Sequence, residues 1–320
     1  MGRQLMVDNL LFSLGTALPI FLVMCSGYVM KYKKLIDNGF IKKANYMVFY
    51  VALPIKLFHD VSMTSFQEYF DLKFIFFVTV ITVGGALISW FTGNLLIRDS
   101  HQIGAFAQGA FRGNFLYIGF SLMENIIGRI ALKGPLAVAI IVPLYNIMSV
   151  IILTYAGNSK DKSINLISTL KDIMRNPLII AITAGIFTSL LPVEVPLVMA
   201  RTMEYFASIA TPLALIAIGA SFNFSHTIEN LPPALMASAI KLVILPSIAV
   251  AAAVAIGYTG EDIVLIYVLT GVPTATVSFI MAAAMEADKD LASNIIMIST
   301  LLSVITMTLF VFVFRSTGII

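Results

Sequence analysis

The stretch Gly109-Ala110-Phe111-Arg112-Gly113-Asn114-Phe115-Leu116-Tyr117-Ile118-Gly119 decides the fold of this chain. It lies inside a segment that is apolar enough to cross a bilayer, yet it places an arginine, a glycine and an asparagine side by side. A continuous helix that faces lipid gains nothing from such residues at mid-depth, whereas a broken helix that lines a polar cavity can turn them toward water or a solute. The stretch therefore predicts an interrupted membrane span and one half of a binding site.

The composition of the whole chain is that of an integral membrane protein. Of its 320 residues 59% are hydrophobic and 12% are charged, and the mean hydropathy is +0.96. Soluble domains are about 45–50% apolar and about 25% charged. There is no basic tract interleaved with aromatic residues, so a nucleic acid is not a predicted partner.

The residues that enzymes and metal sites require are missing from the sequence. The single cysteine, Cys25, excludes an intrachain disulfide and a cysteine-based metal cluster. The three histidines show no metal-ligand spacing, and no GxSxG, HExxH or Walker-type motif is present. The sequence therefore argues against an enzyme and predicts no cofactor.

Several segments are long enough to cross a hydrocarbon core of about 30 Å, which takes about 20 helical residues. The ten segments are 8–30, 40–60, 72–97, 102–124, 134–156, 177–192, 196–222, 231–257, 261–285 and 290–314. The longest polar connection follows the fifth segment. We predict an all-α membrane domain made of a first five-helix repeat (1–157), a cytoplasmic linker (158–176) and a second five-helix repeat (177–320).

The distribution of lysine and arginine predicts the orientation of these spans. Loops on the cytoplasmic side of a membrane are enriched in basic residues. The loops after odd-numbered segments carry most of them, namely Lys31, Lys33, Lys34, Lys42, Lys43, Arg98, Lys160, Lys162, Lys171, Arg175 and Lys289. The opposite side carries Arg3, Lys73, Arg129, Lys133 and Arg315. We therefore expect a multi-pass protein of the cytoplasmic membrane with both termini extracytoplasmic.

The two halves of the chain repeat one another weakly. A single offset superimposes three pairs of landmark residues, Pro19 with Pro177, Gly27 with Gly185 and Pro54 with Pro212. Five spans per half would place the halves in opposite orientations, which is the inverted-repeat plan of many secondary transporters. Under that plan the fourth span corresponds to the ninth.

The ninth span carries an interruption of its own. Gly271 and Pro273 lie in it at about the depth at which Gly113 and Asn114 lie in the fourth. Proline removes a backbone donor and clashes with the preceding turn, so the helix breaks or kinks there. Two interrupted spans in corresponding places indicate a transporter binding site, formed where these broken crossover helices meet.

The polar residues at these breaks each have a functional and a structural interpretation. Arg112 presents a planar fork that suits a carboxylate, or it forms a structural pair nearer the cytoplasmic mouth. Asn114 offers a donor and an acceptor to a substrate, or it bridges loose backbone groups. The hydroxyls of Thr274 and Thr276 either hydrogen-bond a solute or cap freed carbonyls.

Two lysines in other spans need an interpretation as well. Lys241, in the eighth span, is a buried cation that either serves substrate and coupling or is paired structurally. Lys56 is expected to reach the outer interface together with His59 and Asp60. The predicted substrate-binding set is Arg112, Gly113, Asn114, Lys241, Gly271, Pro273, Thr274 and Thr276.

Motifs spread over nearly the whole chain resemble one known family. They are Asn45 with Val51-Ala-Leu-Pro-Ile55; Phe106-Ala-Gln-Gly-Ala-Phe111 with Gly113-Asn114 and Tyr117-Ile-Gly119; Asn176-Pro177; Pro212-Leu-Ala-Leu-Ile-Ala-Ile-Gly-Ala-Ser221; Lys241 with Pro246; and Pro273-Thr-Ala275 with Ser299-Thr-Leu-Leu-Ser303. In this order and spacing they resemble the auxin efflux carrier family, which includes the plant PIN-formed carriers and bacterial malonate and malate permeases.

The resemblance implies an architecture and a solute class. It implies ten spans as inverted five-helix repeats, with the fourth and ninth spans crossing at the site. It also implies a scaffold subdomain and a transport subdomain, often a homodimer, and carboxylate-type solutes. The long cytoplasmic loop of the plant carriers is absent, so the chain looks like a short bacterial member and auxin does not follow as its substrate.

The predicted function is a secondary carrier of a small organic anion that works by alternating access in the lipid bilayer. Coupling to H⁺, coupling to Na⁺ and uncoupled transport all stay open, with a lean toward the first and last because no buried carboxylate marks the crossover. One alternative is a sodium-coupled symporter of the bile-acid type. Another is a ligand-binding membrane sensor on a transporter fold.

Overall fold

The computed structural model describes residues 18–63, 71–129, 131–157, 171, 174–190, 195–221 and 229–319. Residues 8–17 of the first predicted span, and most of the predicted linker 158–176, lie outside them. The regular elements of the described chain are helices. In the first half these are α1 Leu18–Tyr32, α2 Asn38–Met47, α3 Leu53–Ser62, α4 Leu72–Leu96, α5 Ser100–Phe111, α6 Phe120–Ile127 and α7 Gly134–Gly157.

The second half contributes seven further helices to the described chain. They are α8 Pro177–Leu190, α9 Leu197–Ser221, α10 Leu231–Ala239, α11 Leu245–Ile256, α12 Glu261–Gly271, α13 Val277–Ala284 and α14 Lys289–Ser316. These helices lie where the sequence predicts spans, and the fourth and ninth predicted spans are each divided into two helices.

Five helical stretches of the described chain are long and apolar enough to cross a membrane, which is consistent with a multi-pass membrane protein. They are Leu72–Leu96, Leu136–Ala156, Leu197–Ser221, Leu231–Ile256 and Lys289–Ser316. The helices α1 and α8 are shorter but apolar. The predicted spans 102–124 and 261–285 are each divided into two shorter helices.

Prolines explain two of the irregular turns within spans. A π-helical turn, Val48–Ala52, joins α2 to α3 just before Pro54, and another, Ile240–Ile244, joins α10 to α11 just before Pro246. A proline has no N–H, so the carbonyl four residues earlier loses its helical partner. Local widening of the helix re-pairs the neighbouring backbone, and such π-bulges are frequent at functional sites.

The buried apolar side chains form two clusters. The first joins α4, α5, α7, α12 and α14 with the α10–α11 span. The second joins α1, α2, α3, α8 and α9 with part of α13. The resemblance implies a scaffold and a transport subdomain, and this division of the core has the form expected for such a pair.

An ionic cluster ties three helix beginnings together at one end of the first core cluster. Lys133, just before α7, lies 2.8 Å from Asp71, the N-cap of α4, and 2.8 Å from Asp262 in the first turn of α12. Partial burial by itself would lower the pKa of Lys133, but its hydrogen bonds to Asp262 and Asp71 outweigh it and raise that pKa. The hydrogen bond from Lys133 is the main cause that lowers the pKa of Asp71.

Candidate functional site

The two interrupted spans contact each other at their breaks. Helix α5 ends at Phe111 and helix α12 ends at Gly271, and the residues that follow each helix are extended. Within the extended segments, Gly113 and Thr274 form an antiparallel bridge. The predicted segments 102–124 and 261–285 are therefore both interrupted, and the structure places the two breaks against each other.

The backbone groups released by one break are paired by the other. The N–H of Asn114 donates to the carbonyl oxygen of Pro273 over 2.8 Å, and the N–H of Ala275 donates to that of Arg112 over 3.2 Å. Away from water, an unpaired backbone group costs several kcal/mol, so interrupted backbone at membrane depth must find partners within the protein. The crossing of the two segments supplies those partners, and we refer to it as the crossover.

Thr274 fastens the crossover to the end of α5. Its hydroxyl donates to the carbonyl of Gly109 over 2.7 Å, and its N–H donates to the hydroxyl of Ser299 over 3.1 Å. Gly109 lies in the last turn of α5, where carbonyls have no helical partner. In this structure Thr274 therefore caps a freed carbonyl, as one of the two interpretations from the sequence expects.

Arg112 is the charged residue at the first break, and 5% of it is exposed. Its guanidinium donates to the side-chain oxygen of Asn146 over 2.9 Å, to the hydroxyl of Ser149 over 3.3 Å and to the sulfur of Met281 over 2.8 Å. Among the described residues it forms no ion pair with a carboxylate. These neutral partners hold and orient the fork without neutralising it, so its positive charge stays available to an anion.

A small cavity lies beside Arg112, on the seam between the two core clusters. Its volume is about 60 Å³. Arg112, Gly113 and Asn114 line it from the first break, and Tyr145 and Asn146 line it from α7. Sites for drug-sized ligands have volumes of about 300–1,000 Å³, so this cavity is small by comparison.

Helix α3 also lines this cavity. Lys56 and Asp60 line it and form an ion pair, with 2.9 Å between Nζ and Oδ2. The sequence predicts that Lys56 reaches the outer interface together with His59 and Asp60, and that position stays a prediction. The place of this pair in the cavity of Arg112 was not foreseen, because spacing along one helix does not reveal which other helix that face meets.

Lys241 is fully buried, in the π-helical turn between α10 and α11. Its ammonium donates to the backbone carbonyl of Thr270, in the last turn of α12. A Cβ placed on Gly113 would lie 3.0 Å from its Nζ. Lys241 is not among the described residues that line the small cavity.

The remaining predicted site residues are buried at the second break. Gly271 ends α12 beneath the ring of Tyr267, which a Cβ on this glycine would meet at 2.5 Å. Pro273 supplies the carbonyl that Asn114 binds, and Thr276 is the buried residue before α13. The structure thus gathers the predicted set around one crossover, with Arg112, Gly113 and Asn114 on the cavity.

Helix α7 contributes side chains that sequence reasoning missed. Asn146 and Ser149 hold Arg112, and the hydroxyl of Tyr145 donates to the carbonyl of Leu269 over 2.8 Å. Within an otherwise apolar span these three residues resemble ordinary helix-packing polar groups. Ser149 follows Tyr145 by four residues and Asn146 by three, which places it on the same helix face as both, and this spacing is the signal that could have identified them.

A larger cavity opens toward the other end of the α2–α3 span. Its volume is about 460 Å³, and its lining is basic and polar. The lining includes Lys31, Asn38, Lys42, Asn45, Tyr46, Tyr50, Ser221 and Lys289. The sequence analysis used the three lysines only to orient the chain, and it did not predict that they surround one cavity.

Comparison with known proteins identifies the family of this chain. A family described as membrane transport protein matches residues 12–311. The chain belongs to this family. The resemblance to auxin efflux carriers is thereby confirmed, and the chain is a membrane transporter rather than an enzyme.

Relatives of this membrane transport protein match along nearly their whole length. A Rhizobium meliloti protein named "Putative malonate transporter" is 28% identical, over 94% of this chain and 96% of its own. An uncharacterized transporter of Methanocaldococcus jannaschii is 22% identical, over 92% of this chain and 97% of its own. The uncharacterized transporter YfdV of Escherichia coli K12 is 24% identical, over 96% of this chain and 99% of its own.

Proposed function

We propose that this membrane transport protein is a secondary carrier of a small organic anion, a carboxylate, and that it works by alternating access. The observation that carries the proposal is the buried guanidinium of Arg112, which is held at a helix break by neutral partners. A charged side chain at mid-membrane costs about 2.5–3.5 kcal/mol on insertion scales, so such residues are usually functional. A planar guanidinium pairs with a carboxylate through two parallel hydrogen bonds.

Asn114 and the second break complete the proposed site. Asn114 lines the same cavity and offers a donor and an acceptor for the carboxylate oxygens or a neighbouring hydroxyl. Gly113 keeps the backbone close to the ligand. Ala275 and Val277 line the cavity from the second break, in which Gly271, Pro273, Thr274 and Thr276 are buried. The name of the Rhizobium relative agrees with a short dicarboxylate.

The positions of the two cavities support alternating access. The small cavity at Arg112 and the large basic cavity lie toward opposite ends of the α2–α3 span. We propose that the two core clusters move against each other, so that the crossover site is exposed first to one end and then to the other. The basic cavity, on the side predicted to be cytoplasmic, would attract the anion before it binds.

The inverted repeat, the extracytoplasmic termini and a homodimer belong to the same proposal. An inverted repeat is supported by the two breaks, which lie in corresponding spans and meet each other. Orientation is supported by the three lysines gathered at the large cavity.

Solute counterflow tests this function. Purified protein is reconstituted in liposomes loaded with malonate, and the entry of external radiolabelled malonate, malate and acetate is followed. Saturable counterflow of at least one carboxylate, with none of the uncharged malonamide, is the expected result. Saturable binding without any flux would instead favour the sensor.

A further inference from the structure

Lys241 is a buried lysine that does not line the small cavity. Its side chain is fully enclosed, and the described residues form no ion pair with it. An ammonium in such a position needs compensation from dipoles if carboxylates do not provide it. The compensation here comes from the broken helix α12.

The end of α12 is a ready position for a cation. The last carbonyls of a helix lack intrahelical partners and carry about half a negative charge between them. Two side chains from different helices reach these carbonyls, the hydroxyl of Tyr145 at Leu269 and the ammonium of Lys241 at Thr270. Tyr145 is a neutral donor, so Lys241 is the group that brings charge.

The same ammonium also touches the first break. A Cβ placed on Gly113 would lie 3.0 Å from Nζ and 3.2 Å from Cε of Lys241. The ammonium therefore lies between the end of α12 and the extended backbone that follows α5. In transporters built from broken helices, unwound backbone carbonyls and half-helix C-termini are the groups that coordinate Na⁺.

We propose that the Lys241 ammonium is a built-in cation that fills, at the end of α12, the position of a dissociable sodium ion. A tethered charge keeps the negative end of the half-helix compensated in every conformation. Transport of the anion therefore proceeds without sodium, which answers the question of coupling that the sequence leaves open. The transport part of this inference rests on the proposed function, whereas the cation position can be tested alone.

Thermal unfolding of purified protein in detergent tests the cation position. Lys241→Ala leaves a cavity beside a helix end whose negative charge is no longer compensated. The ethylammonium cation should fill this cavity, whereas the choline cation is too large to enter it. The expected result is a melting temperature of Lys241→Ala that is higher by about 2 °C or more in ethylammonium than in choline. The wild type and Lys43→Ala, which lacks an exposed lysine, should show no such difference. An equal response of all three proteins would overturn the proposal.

Counterflow by the wild-type protein tests whether transport needs sodium. This measurement requires no variant, so it does not depend on whether Lys241→Ala folds. Replacing all sodium by choline should change the initial rate less than twofold, and a rate that collapses without sodium would overturn the proposal. Counterflow that requires sodium leaves the carrier function intact and refutes only the role of Lys241. Ethylammonium rescue without any carboxylate flux refutes the carrier function and leaves the cation position standing.

Discussion

At the scale of single residues, some of the groups that form the crossover can be recognised from the sequence and others cannot. Arg112 and Asn114 are conspicuous because a charge and an amide beside a glycine do not belong in an apolar span, and the sequence predicts them on that ground. Asn146 and Tyr145 are not conspicuous, since single polar residues are common on helix-packing faces. Their roles depend on which helices lie beside α7, and one-dimensional spacing does not carry that information.

At Gly113 the backbone of the first break lies close to two side chains from other elements. The Cβ position of Gly113 lies 3.0 Å from both Nζ of Lys241 and Cγ2 of Val272. We expect Gly113→Ala to displace one of these neighbours and to destabilise the fold by about 1–3 kcal/mol, as overpacked sites do. The measurement is the melting temperature in detergent, together with counterflow, which should fall at least tenfold.

Gly84→Ala is the matched control. Gly84 lies within the membrane-spanning helix α4, and a Cβ there meets nothing within 4 Å. In a helix interior alanine is favoured over glycine by about 1 kcal/mol, so this variant should be as stable as the wild type or more so. If both glycine variants behaved alike, the close approach at Gly113 would not matter.

At the scale of elements, the positions of the helices are predictable and their interruptions nearly so. Length and hydropathy place α4, α7, α9 and α14 within a few residues, because a membrane span needs a fixed apolar length. Glycine and proline mark the breaks. The π-helical turns before Pro54 and Pro246 and the bridge between Gly113 and Thr274 are consequences of packing, which no local pattern specifies.

The cap that Thr274 places on α5 gives a test at this scale. Thr274→Val keeps the volume of the side chain but removes the donor to the Gly109 carbonyl, and a buried carbonyl left unpaired costs about 1–3 kcal/mol. We expect a lower melting temperature and slower counterflow. Thr202→Val is the control, since that hydroxyl is exposed and bonds within its own helix to Val198. Equal melting temperatures for the two variants would show that the cap is dispensable.

The ionic cluster at the starts of α4, α7 and α12 gives a prediction about pH. Because Lys133 lowers the pKa of Asp71 below 3.8, the carboxylate contributes stability above pH 3.8, and that contribution is lost as the pH falls through the lower folded value. Asp71→Asn should therefore lower the melting temperature at pH 7, by an amount equivalent to about 1 kcal/mol or less. The wild type should converge on the variant below pH 3.8.

Asp37→Asn provides the comparison for that experiment. Asp37 caps α2 through the N–H of Phe40 at 2.7 Å, as Asp71 caps α4 through the N–H of Phe74 at 3.0 Å. Asparagine is about as good an N-cap as aspartate, so the loss of the cap does not distinguish the two variants. A pH-dependent difference that is as large for Asp37→Asn as for Asp71→Asn would refute the role of Lys133.

At the scale of the whole molecule, two core clusters meet at the cavity of Arg112. The helices that end at the two breaks, α5 and α12, belong to one cluster, and α3 of the other cluster lines the cavity with the Lys56–Asp60 pair. A cavity of about 60 Å³ on this seam and one of about 460 Å³ toward the other end of α2–α3 are what a carrier closed at one end would present. The relative movement of the clusters is the step that would enlarge the small cavity.

Carboxylate counterflow by Arg112 variants tests this account most directly. Wild type, Arg112→Ala, Arg112→Lys and Arg201→Ala, which removes an exposed arginine, are reconstituted at equal density, and the initial rate of malonate entry is compared. The account predicts wild-type rates for Arg201→Ala, a loss of at least about tenfold for Arg112→Ala, and little recovery in Arg112→Lys, because an ammonium lacks the planar fork. Wild-type rates in both Arg112 variants would contradict it.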